Sequence, residues 1–202
     1  LIIVLSYLNF LGIKQSSRLN VVFTCIEVSG LLLVIVLAFF NINKIVSIDY
    51  LQMSNGFSGI LSAAALVFFA YVGFEDIANI AEETRNPRRI LSKAFILAVI
   101  ITTVLYLLTS IAALSLATPE ELSNSTSPLA LAVSKTFLGN YAFMLMSYIA
   151  LFATANTVLV AMTVGSRMAY GMAQNKALPY ILTRIDQKRG SPSIAIIVFM
   201  LL

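Results

Sequence analysis

"FFAYVGFED", residues 68–76, lies inside an apolar stretch long enough to cross a membrane. Partway along, Gly73 interrupts the run, and Glu75 and Asp76 follow at once. A helix in lipid satisfies its own backbone hydrogen bonds, and non-helical backbone at membrane depth is tolerated only inside protein or along a wet cavity. Glycine permits an unwound turn and lets a ligand approach the main chain. Carboxylates at that depth are costly and belong against a cavity or a partner. A broken span also exposes helix ends. Amino-terminal ends attract anionic groups, carbonyls and carboxy-terminal ends attract cations, and a zwitterion needs both. On these residues alone a second reading stays open. Gly73 could be a close-packing point between helices. Residues 58–75 would already rise about 27 Å as one helix, so the two acids could simply end it at the interface.

The rest of the composition agrees with a membrane setting. Of 202 residues, 59% are hydrophobic and 11% charged. Ordinary soluble domains carry about 25% charged residues. Mean hydropathy is +0.94. The single cysteine, Cys25, excludes a disulfide framework within the chain and reads as a small hydrophobe in an apolar run. With no histidine, metal sites built on imidazole and Ser-His-Asp chemistry are excluded within these residues. No cofactor and no metal are expected. The chain starts at Leu1 and stops at Leu202, each inside an apolar run. Neither end resembles a signal peptide, and both read as internal to a longer membrane protein.

The pattern predicts an all-α integral membrane protein with one transmembrane domain over 1–202. Its spans are expected at 1–11 (partial), 19–40, 58–81 (broken), 92–117, 141–173 and 193–202 (partial). "GIKQSSRLN" (12–20) reads as a polar connection, 41–59 as a longer loop, and "TPEELSNSTSP" (118–128) as another. Residues 129–137 are too short to cross and suit an interfacial or packed helix. The Asn86-Pro87 step stops one helix and can begin the next.

Loop charge orients the spans. Segments 12–20, 82–93 and 167–189 hold 11 of the 13 Lys and Arg residues, whereas the alternate loops hold only Lys44 and Lys135. By the positive-inside rule, loops 12–18, 82–91 and 174–192 are expected in the cytoplasm of a multi-pass protein of the cell membrane. This bias accounts for the net charge of +4 without a nucleic-acid partner. The sequon at 124–126 falls on the opposite side, though such matches are common by chance.

The residues around the opening stretch resemble the sixth and seventh helices of the amino acid–polyamine–organocation (APC) transporter superfamily. The similarity runs through Phe69, Gly73-Phe74-Glu75, Ala81-Glu82-Glu83 and Asn86-Pro87-Arg88-Arg89. "ALFATANTVLVAMTVGSRMAYGMAQNKALP" (150–179) resembles the family's eighth helix, and "GIKQSSRLN" its loop before the fifth. The resemblance covers essentially the whole chain. It implies part of a LeuT-type fold of two inverted repeats, from the end of helix four into helix nine, with a broken helix at about 68–76. It implies a secondary active transporter of amino acids or related amines, proton-coupled or an exchanger, with substrate held between the broken helices one and six. Helix one would lie outside this chain. A receptor or sensor that keeps the fold without moving substrate is the alternative, and a membrane enzyme has the least support. The resemblance identifies neither the substrate nor the oligomeric state.

By motif position the resemblance makes Phe69 the aromatic that closes over substrate; on the residues alone Phe68 and Phe69 read as lipid-facing or core. Ala70, Tyr71, Val72 and Gly73 would supply the unwound backbone, whose carbonyls accept from an ammonium group. Glu75 matches the acid just beyond the break, with a part in gating or proton exchange, and Asp76 is less specific. Thr154 and Thr157, with Asn156, match a helix that carries a sodium-type site in the family; each could equally be interhelical glue. Tyr106, Thr102, Thr103 and Thr109 on the preceding helix are weaker candidates. Glu27 is the sharpest departure, for several proton-coupled or exchanging members carry a lysine at the matching position. It lies about 12 Å into its helix. A carboxyl there could carry a proton, ligate a coupling cation, pair with a basic residue, or make an interhelical hydrogen bond while protonated.

Overall fold

A computed structural model describes residues 2–41, 56–73, 86–186 and 191–201. The described secondary structure is helical apart from one isolated antiparallel bridge, Asp186 to Ser191. Among the described residues three helices are long and apolar enough to cross a membrane: Lys14–Phe40, Arg89–Leu116 and Tyr141–Gln174. The elements are α1 (Ile2–Phe10), α2 (Ile13–Phe40), α3 (Gly56–Phe68), α4 (Pro87–Leu116), α5 (Pro119–Asn124), α6 (Pro128–Ser134), α7 (Tyr141–Gln174) and α8 (Ser193–Leu201). Short 3-10 turns cover Phe69–Tyr71 and Tyr180–Thr183. The chain divides into two compact units, 1–30 with 145–202 and 31–144, whose boundaries fall within α2 and α7.

Two sequence expectations change. The connection expected at 12–20 is a single turn at Leu11–Gly12, and α2 begins at Ile13. Gly12 takes φ +114, a left-handed conformation that ends α1 and lets α2 begin at the next residue. Lys14, Gln15 and Arg18 are good helix formers, so polarity there does not require a loop. The loop expected at 118–128 contains α5. Its amino terminus is a capping box: the Thr118 hydroxyl accepts from the Glu121 N–H, and the Glu121 carboxylate accepts from the Thr118 N–H. Pro87 stands at the first helical position of α4, as the Asn86-Pro87 step allows, with Asn86 at φ 51, and the helix expected to stop before it lies outside the described residues. The packed helix expected at 129–137 is α6, which buries Ala130, Ala132 and Val133 and packs against α4 and α5. The expected loop 42–55 and the break's far side, 74–85, lie outside the described residues.

In the first unit, Leu5 of α1 packs with Ala155, Leu159 and Met162 of α7, and Leu19 and Phe23 of α2 close on them. Farther along α7, Ala169 and Ala173 pack with Leu182 and with Ala195 of α8. Two glycines set these approaches. A Cβ at Gly30 would lie 2.7 Å from Ile149 Cγ2, and one at Gly165 would collide with the Phe199 ring. Between apolar helices in lipid there is little hydrophobic driving force, so close backbone packing of this kind carries the association.

The Glu121 carboxylate is held well below the usual range, at about 2. The Lys135 ammonium donates to it, and the backbone N–H and hydroxyl of Thr118 add donors at 2.9 and 3.0 Å. A depressed folded pKa means that the contribution is complete above the unfolded value near 4.5 and is lost as pH falls through about 2. A carbon-13 titration of Glu121 in the detergent-solubilised protein should show its midpoint near 2. In Lys135→Met the midpoint should rise toward 4.5; an unmoved midpoint would remove Lys135 as the main cause. Gly30→Val should cost about 1–3 kcal/mol by overpacking, read as a lower unfolding temperature in detergent. Ile149→Ala in the same chain should recover part of that loss.

Candidate functional site

The helix that enters the expected break at about 68–76 ends there, and residues 74–85, beyond Gly73, lie outside the described residues. α3 is 13 residues long and buries none of its residues. Its rise of about 20 Å falls short of a ~30 Å hydrocarbon core. The helix tightens to a 3-10 turn at Phe69–Tyr71 and then leaves helical geometry. Val72 is extended, at φ −68 and ψ 135, and its N–H donates to the Phe69 carbonyl at 3.2 Å. Gly73 follows at φ +110. A Cβ on Gly73 would meet nothing within 4 Å, so glycine is demanded here by backbone conformation and not by space. The turn is thus the carboxy-terminal end of a helix, where carbonyls outnumber their donors and the dipole is negative. That end suits a cation, including a substrate ammonium.

Side chains of α4 fasten this turn within the second unit. The Tyr71 hydroxyl lies 2.8 Å from Thr103 Oγ1, and the Tyr106 hydroxyl donates to the Ala70 carbonyl at 3.4 Å. The two tyrosine rings meet edge to face, with centroids 5.7 Å apart. Beside them is a cavity of about 660 Å³, roofed by Leu122 of α5 and Leu129 of α6 and bounded by Val67, Ala70, Leu107 and Thr109. Its wall is mostly apolar. Thr109 is buried, at 7% exposure, and its hydroxyl finds no hydrogen-bond partner among the described residues. Of the weaker candidates from the sequence, Thr103 and Tyr106 are therefore set against Tyr71 and Ala70, and Thr109 lines the same cavity. Thr102 donates to its own helix, at Ala98. Phe69 is 71% exposed and stands edge-on to Phe68, with ring centroids 6.3 Å apart. Glu75 and Asp76 lie outside the described residues.

The second group of candidates is in the first unit. Glu27 is half-buried on α2, and its Oε1 accepts from Asn156 Nδ2 at 2.8 Å. The same amide nitrogen reaches Thr24 Oγ1 at 3.2 Å, and Asn156 Oδ1 accepts from Asn20 Nδ2 at 2.9 Å. Asn156 is 8% exposed, so a single buried amide from α7 spends both its N–H bonds and its oxygen on α2. Among the described residues no basic side chain pairs with Glu27. Its partner is the neutral amide of Asn156, a donor that does not require the carboxyl to be protonated. Thr154 and Thr157 do not join this group by hydrogen bonds. Their hydroxyls donate to the carbonyls four residues back, Ala150 and Ala153, and both residues are exposed. The signal for Asn156 was present in the sequence: Asn20, Thr24 and Glu27 fall on one face of α2, opposite a lone amide in an apolar run.

A family model described as "Amino acid permease" matches residues 1–202. The branched-chain amino acid permease BcaP of Bacillus subtilis is 28% identical over 195 residues, covering 96% of this chain and 41% of that protein. Cationic amino acid transporter 9, chloroplastic, of Arabidopsis thaliana is 33% identical over 174 residues, covering 86% of this chain and 30% of that protein. The methylthioribose transporter of Bacillus subtilis is 28% identical over 189 residues, covering 90% and 38%. This chain thus spans well under half the length of these relatives. The match over its whole length, together with its long apolar helices, makes it a multi-pass membrane protein, and it belongs to the amino acid permease family.

Proposed function

We propose that the protein to which this chain belongs is a secondary active transporter of amino acids or related amines. The observation that carries this reading is the helix end at Phe69–Gly73, an unwound turn with its negative pole set beside a cavity inside a membrane protein. The carbonyls of Ala70, Tyr71 and Val72 are the acceptors for a substrate ammonium, and Gly73 lets the ligand come up to the main chain. Phe69, exposed at the start of the turn, is the aromatic that closes over the site. Relatives named for amino acid transport support the substrate class.

Glu27 is the coupling group in this reading, either carrying a proton or helping to hold a cation, with Asn156 keeping one carboxyl oxygen in place. Thr154 and Thr157 remain candidates for the cation alternative, since each hydroxyl oxygen keeps acceptor capacity after donating to its own helix. The membrane is the cell membrane, with the basic segments 12–18, 82–91 and 174–192 on the cytoplasmic side.

The full-length protein in proteoliposomes should accumulate labelled amino acids, and binding without flux would overturn the transport reading. Phe69→Ala should lower flux severalfold while leaving folding yield near wild type; unchanged flux would remove Phe69 from the gate. Glu27→Gln should fold and bind, yet lose the pH dependence of flux. Retention of the wild-type pH profile would end the proton-carrier role, and loss of a sodium dependence instead would favour the cation role.

A further inference from the structure

We infer that Tyr71 and Tyr106 form a reciprocal clasp with α4 that sets where the unwound turn lies, making Tyr71, Thr103 and Tyr106 positioning residues for the amine that the turn accepts. The inference rests on the turn being the substrate seat, and it adds side chains to a site otherwise described by its backbone.

The direction of each hydrogen bond follows from counting protons. Thr103 has one hydroxyl hydrogen, and it goes to the Val99 carbonyl at 2.7 Å. The 2.8 Å contact with Tyr71 is therefore donated by the tyrosine. Tyr71 thus reaches from the turn onto α4. Tyr106 reaches from α4 back onto the turn, donating to the Ala70 carbonyl. Thr103 and Tyr106 are three residues apart on one helix face, which lets both meet the same short turn. The two tyrosine rings also meet edge to face, at 74°.

Placement gives the clasp its consequence. Tyr71 is the last residue of the 3-10 turn, immediately before the extended Val72 and the φ +110 of Gly73. Fixing its hydroxyl fixes the point at which helical hydrogen bonding stops. α3 buries none of its own residues, so burial of that helix does not hold the point. The Tyr106 hydroxyl uses one lone pair of the Ala70 oxygen and aims the carbonyl while the second lone pair stays available. An ammonium donor makes the stronger, charge-assisted bond there.

The test uses full-length protein in proteoliposomes and a panel of labelled proteinogenic L-amino acids. For the amino acid that the wild type carries best, Tyr71→Phe and Thr103→Val should each raise KM about fivefold, the value of one neutral hydrogen bond. Maximal flux should change less than twofold, and the double variant should be no worse than either single, because both remove the same bond. Thr103→Ser, which keeps the acceptor, should restore KM. Variants with KM within twofold of wild type, or with losses that multiply in the double, overturn the clasp. So does a parallel fall in maximal flux and in detergent unfolding temperature, which marks a merely structural role. Uptake of no amino acid by the wild type overturns the transport reading instead, and the clasp's role with it.

Discussion

A helix that ends leaves carbonyls without backbone donors, and in the 31–144 unit the turn after α3 meets that constraint with side chains of α4. α3 ends at Phe68, and the next residues spend their hydrogen bonds economically: Val72 closes onto Phe69, Tyr106 donates to Ala70, and Tyr71 anchors to Thr103. Each unsatisfied backbone group in hydrocarbon costs several kcal/mol, so a break survives only where side chains or a ligand take over the lost bonds. The tyrosines supply part of that substitution. The apolar wall of the neighbouring cavity makes the remaining polar atoms count for more, since weak dielectric screening strengthens every hydrogen bond made there.

Much of this was legible in the residues. The apolar runs at 19–40, 92–117 and 141–173 fall within or overlap α2, α4 and α7, the helices long and apolar enough to cross a membrane among the described residues. Gly73 suits a break because φ +110 is a conformation that other residues rarely adopt. Pro87 marked a helix start because its missing N–H is an orphan there in any case. The errors have a common cause. Polarity suggests irregular backbone at 12–20 and 118–128, whereas Lys, Gln, Arg and Glu form helices readily once an amino-terminal turn or cap is available. Gly12 supplies the first and Thr118 the second.

The site was less legible than the fold, because single-sequence patterns order residues along an element and not across elements. At Gly73 local chemistry left a break and a close-packing point both open, and only the backbone, at φ +110, shows that helical geometry has ended there. That Thr103 and Tyr106 face the turn, while Thr102 turns back on its own helix, depends on the rotation of α4 about its axis. The polar residues of α7 show the same separation. Asn156 is drawn to α2, and Thr154 and Thr157, two places before it and one after, are not.

The Asn156 amide also acts on the geometry of sliding. Its acceptors and donor on α2 stand at positions 20, 24 and 27, about one helical turn between successive rungs. A small axial displacement of α7 along α2 would strand a buried amide between rungs, with neither a full set of partners nor water to replace them. A shift of a whole turn would meet polar atoms again. The contact therefore works as a detent: registers of the two helices are separated into discrete notches, and intermediate positions are barriers and not resting places.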